Sequence, residues 1–270
     1  MGDYMRLTML GTGDAMSLKF YNTCFTLDNG EEYFLVDGGG GNQLMIQLEK
    51  AGIDWKKIRT VFLTHKHTDH ILGIIWMCRF VMQYMHQGDY EGSVCVFGHE
   101  EIIDKLDRIL KEVLNPKELR FLNNGLFLVP VEDGEEEEIL GCPITFFDLA
   151  SAKTKQFGFA IEYEDGKHLT CLGDEPYKPV LKEYVANSTW LMHEAYCLER
   201  DEAIFKPHAM SHSTVKDACE CAESLNVKNL IIYHTEDHTF ANRKELYTSE
   251  GKEYYHGNLY IPDDLDTFTL

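Results

Sequence analysis

Short blocks of apolar residues, separated by glycine and polar residues, predict alternating strands and helices in the first half of the chain. Short, mostly apolar runs indicate strands, and apolar residues spaced three and four apart indicate helices. The predicted strands lie at residues 5–10, 24–27, 33–36, 59–63 and 126–131, and the predicted helices at 42–50, 71–87 and 102–113, with a short one from Pro116. The centre of the 59–63 strand is apolar throughout, which indicates burial on both faces.

The second half repeats this alternation. Predicted strands lie at residues 139–147, 157–163, 169–172, 190–193 and 230–233, and predicted helices at 179–186 and 214–225. Thr214 and Asp217 have the spacing of a capping box at the start of the last helix. The acidic run 132–138 lies between two predicted strands, and we interpret it as a solvated hairpin tip.

The order of these elements predicts the fold class. Each half is rich in strands and carries helices, so we expect an α+β protein with two sheets packed together and helices outside. No Pro/Ser-rich linker divides the chain and no internal repeat is visible. We therefore predict a single domain over residues 1–270.

Charge narrows the range of partners. The 270 residues include 45 Asp and Glu against 25 Lys and Arg, for a formal net charge of −20. Such a surface repels polyanions, so nucleic-acid binding is disfavoured unless a basic patch forms locally.

The same composition bears on location. The chain starts without the basic and apolar regions of a signal peptide, and it has no apolar run long enough to span a bilayer. Its eight cysteines are scattered without a C-x-x-C pair. We expect reduced thiols and a cytoplasmic protein with no membrane partner.

The strongest chemical signal follows the strand at 59–63. His65, His67, Asp69 and His70 place four ligand-type side chains within six residues. His65 and His67 point the same way from an extended segment, and Asp69 and His70 begin the next turn. Imidazole and carboxylate together suit zinc, and with different affinity manganese or iron. A surface loop rich in histidine is the competing interpretation.

This H-x-H-x-D-H pattern resembles the signature of the metallo-β-lactamase superfamily. Further segments resemble its ribonuclease Z branch, in the same order along the chain: Leu10-Gly-Thr-Gly13, Leu35-Val-Asp-Gly38, Gly173-Asp174, His193-Glu-Ala195, His212-Ser-Thr214 and Ile232-Tyr-His234. The resemblance implies a metallo-β-lactamase-like αββα four-layer sandwich, two mixed sheets with helices on the outer faces.

The resemblance also implies a dinuclear site that holds two divalent ions, zinc in the first place. The implied metal ligands are His65, His67, Asp69, His70, Asp174 and His234, with Asp174 bridging the ions. Glu194 and His212 would protonate the leaving group, so with Asp69 they are the predicted catalytic residues, and His208 is a weaker candidate. Such a site permits hydrolysis by metal-bound hydroxide. Taken singly, each of the later residues also has an ordinary role in a turn, a core or a helix cap.

One position departs from the pattern. The family supplies a further histidine near the strand end at 144–151, where this chain has Ala150. The first ion would keep His65, His67 and Asp174, with water in the remaining position, and the second ion would be better occupied. Asp148, Ser151 or a distant histidine is a candidate compensating ligand.

Three functions remain open at this stage. The first is a metal-dependent hydrolase of a small phosphodiester or other small ester, which fits the negative charge. The second is a ribonuclease Z-like endonuclease that processes the 3′ end of transfer RNA, which requires a basic cluster such as Lys153, Lys155 and Lys178. The third is a metal-binding or sensing module impaired by Ala150. The relatives imply a homodimer.

Overall fold

The architecture is that of a computed structural model, which describes residues 5–164 and 166–270. Within it the chain forms two compact units. The first contains residues up to Gly11 together with Tyr21–Glu132 and Leu265–Leu270, and the second contains Thr12–Phe20 and Asp133–Asp264. The assignment of the chain to one domain stays a prediction.

Both units combine one sheet with several helices. The strands are β1 (Arg6–Gly11), β2 (Cys24–Asp28), β3 (Tyr33–Val36), β4 (Ile58–Phe62), β5 (Val94–His99), β6 (Leu126–Val131), β7 (Glu136–Ile139), β8 (Cys142–Asp148), β9 (Phe157–Glu164), β10 (Lys167–Cys171), β11 (Trp190–Glu194), β12 (Asn229–Tyr233), β13 (Asn258–Tyr260) and β14 (Thr267–Thr269). The α-helices are α1 (Gln43–Lys50), α2 (Thr68–Gln87), α3 (Glu100–Val113), α4 (Pro116–Leu119), α5 (Lys182–Val185), α6 (Glu202–Phe205), α7 (Val215–Ser224) and α8 (Arg243–Gly251). Short 3-10 turns lie at Trp55–Lys57, Pro179–Leu181, Glu199–Asp201, Pro207–Met210 and Phe240–Asn242.

The sheet of the first unit is mixed. Its strand order is β14-β1-β2-β3-β4-β5-β6. The pairs from β14 to β3 are antiparallel, and those from β3 to β6 are parallel. Residues of α1, α2 and α3, such as Leu44, Ile74 and Leu106, pack in one core with strand residues such as Val61. The helices therefore bury one face of this sheet.

The sheet of the second unit is also mixed, and like the first it has three parallel and three antiparallel strand pairs. Its order is β13-β12-β11-β10-β9-β8-β7, with parallel pairs from β13 to β10 and antiparallel pairs from β10 to β7. Leu230 and Leu191 of the parallel strands share a core with Val215 and Tyr247 of α7 and α8. The predicted α+β class and two mixed sheets with helices are confirmed.

Glycines allow the start of α2 to pack closely against the loop that follows β3. The amide of Gly38 donates to the carbonyl of His70 at 2.9 Å, and the amide of Gly73 donates to the carbonyl of Gly39 at 3.0 Å. A Cβ at Gly73 would lie 1.7 Å from the Gly38 oxygen, which no side chain tolerates. The glycine run of this loop thus allows the close approach of a helix.

The acidic run between β6 and β8 was predicted wrongly as a hairpin tip. β6 pairs with β5, whereas β7 pairs with β8, so the run joins strands of two different sheets. The predicted strand at 139–147 is also wrong in its extent, because Leu140 and Gly141 adopt positive φ and form a two-residue turn between β7 and β8. The glutamates of β7 lie on an edge strand, where charge discourages pairing with other chains.

Several elements were not predicted, some of them because their local signal is weak. The strand β5 lies between β4 and β6, and its run Val94–His99 has the apolar pattern that would have revealed it. The helix α8 is mostly polar and buries only Arg243, Tyr247 and Gly251. The terminal strands β13 and β14 have three residues each.

Other local predictions are confirmed. Thr214 and Asp217 form the capping box of α7, with the Thr214 amide donating to the Asp217 carboxylate at 2.8 Å. All eight cysteines are free thiols. No helix in the described part of the chain is long and apolar enough to cross a membrane.

The contact between Gly73 and the Gly38 loop yields a stability prediction. Gly→Ala inside a helix normally stabilises a protein by about 1 kcal/mol. At Gly73 we expect the opposite sign, because overpacking costs about 1–3 kcal/mol or more. Urea unfolding of Gly73→Ala should show reduced stability, with Leu72→Ala on the exposed side of α2 as the control. Unchanged or increased stability of Gly73→Ala would contradict the close approach.

Candidate metal centre

The candidate residues of the first unit lie where two parallel strands end. Asp37 directly follows β3, and Thr64 and His65 come just after β4. Val36 and Phe62 are register partners in the parallel ladder, so these two strand ends lie side by side. Asp69 and His70 lie in the first turn of α2. Ligand sites commonly form at the carboxyl ends of parallel strands for this reason.

His65 and His67 present ring nitrogens to one another. The Nε2 atom of His65 lies 2.9 Å from the Nδ1 atom of His67. The other nitrogen of His65, Nδ1, lies 3.0 Å from the hydroxyl oxygen of Thr64. The Thr64 hydroxyl donates its proton to Asp37 and therefore accepts a hydrogen bond from Nδ1–H of His65. In this tautomer Nε2 of His65 carries the lone pair that can bind a metal.

A buried carboxylate, Asp37, organises these side chains. Its two oxygens accept hydrogen bonds from the amide of Thr64 at 2.9 Å, the hydroxyl of Thr64 at 2.7 Å and Nδ1–H of His70 at 2.7 Å. Three donors therefore converge on one carboxylate that is only 3% exposed. The bond to His70 directs the opposite ring nitrogen, Nε2, toward Asp69, whose oxygen lies 3.2 Å away.

The electrostatics of His70 reflect these neighbours. Burial lowers the pKa of His70, but the carboxylates of Asp69 and Asp37 outweigh burial and raise the pKa well above its usual value. A positive charge is thus favoured at this ring. Metal ions and protons are both stabilised by such an arrangement, and a carboxylate behind a ligating histidine is a common feature of zinc sites.

The candidate residues of the second unit follow the same rule. Asp174 comes after β10, Glu194 is the last residue of β11, and His234 comes directly after β12. These three strands are parallel neighbours, with Glu194 in register with Tyr233. All three side chains are buried. Adjacent strand ends therefore bring together residues that are 20 to 60 positions apart in sequence.

His212 joins this group from the loop before α7. Its Nδ1 atom lies 3.2 Å from Oδ1 of Asp174 and 3.3 Å from Oε2 of Glu194. The other oxygen of Glu194 accepts from the amide of Ser213 at 2.7 Å, which holds the carboxylate in place. The side chain of His212 is 13% exposed, so it is the member of this group that is accessible to solvent. The arrangement is that of an imidazole oriented by a fixed carboxylate.

The donor set of the second unit fits a divalent ion. One ligand atom each from Asp174, His212 and His234 lies within 4.8 Å of the others. Nitrogen and oxygen ligands at about 2.0–2.2 Å from a zinc ion are separated by distances in this range. The side chains of the first unit offer further imidazole and carboxylate ligands. The residues present are therefore chemically suited to the metal that the sequence implies.

A buried arginine supports the loop that carries His234. The guanidinium of Arg243 donates to the hydroxyl of Thr235 at 2.7 Å and to that of Thr12 at 3.3 Å, and it pairs with Asp263 at 2.9 Å. His234 itself has a positive φ of 58°, a conformation that ordinary residues adopt only when their surroundings hold them. Arg243 supplies part of that support from α8.

Ala150 offers no ligand atom to either group. It is exposed and has a positive φ of 51°. Of the suggested substitutes, Asp148 accepts from the amide of Ala150 at 2.8 Å and Ser151 accepts from the amide of Lys153 at 3.1 Å. Asp148 belongs to no candidate group of His, Cys, Asp and Glu ligands in the part of the chain that the structure describes, and a compensating ligand stays a prediction.

His208 lies apart from the buried group. Its ring binds Asp217 of α7 at 2.7 Å, and this hydrogen bond raises the pKa of His208 above its usual value. It lines a cavity of about 410 Å³ together with His193 and His212. His193 uses both nitrogens, one toward the carbonyl of Glu194 and one toward the amide of Tyr177. His193 is therefore a structural residue of the site.

Sequence reasoning missed the roles of Asp37 and Arg243. Asp37 belongs to a segment that resembles the ribonuclease Z branch, and an aspartate directly after an apolar strand is a signal that would have singled it out. Arg243 had no such signal, because its partners Thr12 and Asp263 are remote in sequence.

Comparison with known proteins adds the evolutionary context. The family described as Anti-Pycsar protein Apyc1 matches residues 5–250. A ribonuclease Z from Thermococcus sibiricus is 25% identical, and the match covers 98% of this chain and 96% of the relative. The predicted resemblance to the ribonuclease Z branch of the metallo-β-lactamase superfamily is confirmed.

Solved structures agree on the fold. The metallo-β-lactamase fold protein YhfI from Bacillus subtilis matches with a TM-score of 0.79 at 15% identity, covering 99% of this chain and 100% of that one. A diphosphatase of the PhnP family matches with a TM-score of 0.71 at 20% identity, covering 99% and 97%. Zn²⁺-bound PqqB from Methylobacterium extorquens matches with a TM-score of 0.73 at 13% identity, covering 98% and 100%. The predicted metallo-β-lactamase fold is confirmed.

The role of Asp37 can be tested by metal binding. Asparagine has one acceptor oxygen and would turn its NH₂ group toward a donor, so Asp37→Asn should release His70 and His65 from their orientations. Loss of such an orienting partner lowers metal affinity by about 10- to 100-fold. Zinc affinity, measured by competition with a chromogenic chelator, should fall in Asp37→Asn and not in Asp28→Asn, a buried aspartate bound to Arg6 in the same unit. Equal affinity in both variants would argue against the assignment.

Proposed function

This chain belongs to the family of the anti-Pycsar protein Apyc1 and is a metallo-hydrolase of the metallo-β-lactamase fold, and from this premise we propose that it hydrolyses a small phosphodiester. The observation that carries the proposal is the contact of His212 with two buried carboxylates, Asp174 and Glu194, at 3.2 and 3.3 Å. A fixed imidazole beside ligand-type carboxylates is what hydrolysis with an alkoxide leaving group requires.

We propose that two divalent ions, zinc by preference, are held by the ligands that the sequence predicts. The first ion would use His65, His67 and Asp174, and the second Asp69, His70, Asp174 and His234. Hydrogen bonds support the role of two of these ligands, because Thr64 and Asp37 contact Nδ1 of His65 and of His70, which leaves Nε2 of each ring to face a metal. Bound divalent ions lower the pKa of water and offset charge on a phosphoryl group.

Glu194 and His212 then serve the leaving group. Ser213 holds Glu194 through its amide, and Glu194 in turn accepts from Nδ1–H of His212. This leaves Nε2 of His212 as the atom that faces outward from the carboxylates. A proton held at that atom is delivered to the departing oxygen, while the carboxylate stabilises the imidazolium.

The charge distribution favours a small substrate. The net charge of −20 opposes a polyanion. Two of the lysines that an RNA surface would need are largely withdrawn from that surface, since the side chains of Lys153 and Lys178 are 17% and 30% exposed. Among Lys153, Lys155 and Lys178, Lys155 alone is exposed rather than partly buried. A single phosphodiester meets far less repulsion than a transfer RNA.

A second candidate function is cleavage of transfer-RNA precursors. It is favoured by the similarity to ribonuclease Z over nearly the whole chain. Cleavage of a precursor transfer RNA at rates above those for small phosphodiesters would support it. A third candidate, a metal-binding module without turnover, is favoured by the exposed Ala150. Bound metal with no turnover of any substrate would support that function.

The cytoplasmic location and the homodimer stay predictions.

The proposed function predicts metal-dependent turnover. The protein, purified without chelators and with its metal content per chain measured, should hydrolyse bis(p-nitrophenyl) phosphate and unmodified dialkyl and cyclic phosphodiesters. Activity should fall about 100-fold or more in Asp69→Ala or His67→Ala, because each removes a proposed metal ligand. His86→Ala, in the last turn of α2, is the matched control. Absence of turnover across the panel in metal-loaded protein would count against the proposal.

The role of His212 predicts a dependence on the leaving group. p-Nitrophenolate departs without a proton, whereas an alkoxide needs one, so His212→Ala should lose about 10²- to 10⁴-fold in kcat on alkyl phosphodiesters and much less on bis(p-nitrophenyl) phosphate. Glu194→Gln should show the same pattern in weaker form. An equal loss on both substrate types would assign His212 to metal binding instead.

A further inference from the structure

A partly buried lysine, Lys153, reaches the group formed by Asp174 and His212 from the loop between β8 and β9. Its side chain is 17% exposed, and its Nζ atom donates to the backbone carbonyl of Asp174 at 3.0 Å. The Nε2 atom of His212 lies 3.5 Å from the same ammonium. Lys153 is therefore a cation on the side of His212 where the leaving group would lie.

The loop is built to hold this lysine. The hydroxyl of Ser151 accepts from the amide of Lys153 at 3.1 Å and forms a local turn. Gln156 and Lys178 bind the two oxygens of buried Glu175 at 3.0 and 2.7 Å. Lys178 also donates to the carbonyl of Ala150 at 2.7 Å. These contacts fix both ends of the loop and with them the position of Lys153.

The ammonium of Lys153 has more capacity to donate than the protein uses. A lysine carries three N–H donors, and here a single contact, to the carbonyl of Asp174, has the length of a good hydrogen bond. The nearby carboxylate oxygens of Asp174 and Glu175 lie 3.6 and 3.7 Å away, and Glu175 is already bound by Lys178. A partly buried cation with donors to spare is suited to an anionic ligand.

On these grounds we propose that Lys153 is a substrate-binding residue whose ammonium donates to a non-bridging oxygen of the scissile phosphate. The proposal rests on the proposed function for the identity of the substrate. Ala150 of this loop offers no metal ligand, but through Lys153 the same loop would supply a positive charge to the site. Phosphate binding would then depend on Lys153 as well as on metal.

The test is binding of inorganic phosphate to metal-loaded protein, measured by calorimetry. Lys153→Met should weaken phosphate binding by about 10- to 100-fold, the value of one hydrogen bond to a charged group. Lys153→Arg, which keeps the charge, should restore part of the affinity. Lys155→Met in the same loop, whose ammonium lies over the ring of Phe157, is the matched control. Metal content per chain should be equal in all four proteins.

The outcomes separate the inference from the proposed function. Unchanged phosphate affinity in Lys153→Met would overturn the inference, and so would a loss of metal together with phosphate, because Lys153 would then act on the ligand Asp174 alone. A wild-type protein that binds phosphate through Lys153 but hydrolyses no phosphodiester would uphold the inference and remove the proposed function. A wild-type protein that binds no phosphate would overturn the inference directly.

Discussion

Parallel pairing of neighbouring strands is the constraint on which both ligand groups depend. In a parallel pair the carboxyl ends meet at one edge, so a residue that follows one strand lies beside the residue that follows the next. Asp37 and His65 are neighbours for this reason, through the β3–β4 pair. Asp174, Glu194 and His234 lie at the carboxyl ends of β10, β11 and β12 in the same way. Reversing the direction of any one strand would move its ligand to the far end of the sheet.

Burial then imposes a second requirement, because each buried carboxylate must find donors. An unpaired buried charge is costly, and these sites satisfy it with groups that also orient the ligands. Asp37 is satisfied by Thr64 and His70. Glu194 is satisfied by the amide of Ser213 and by His212. The hydrogen bonds that remove the cost of burial are thus the same ones that select ring tautomers and hold the nitrogens in position.

The second unit balances its negative charge with lysines as well as with imidazoles. Glu175 is bound by Lys178, and Asp174 and Glu175 both lie within 4 Å of Lys153. Two partly exposed lysines therefore lie beside buried carboxylates in a protein whose formal net charge is −20. This distribution suits a small anion that enters a pocket better than a long polyanion that lies across the surface. The preference for a small phosphodiester follows from where the cations are, in addition to the net charge.

The sequence by itself determined the elements and the ligand types. Strands and helices depend on local periodicity, and the residues of H-x-H-x-D-H are close enough in the chain for their spacing to predict a metal site. Short strands in polar or interrupted segments, such as β7 and β13, were beyond that signal. Tertiary structure alone decided which residues support the ligands. The bond of His70 to Asp37 spans 33 positions, and that of Arg243 to Thr12 spans 231. Such contacts follow from strand order, which is a property of the folded chain and has no local signal in the sequence.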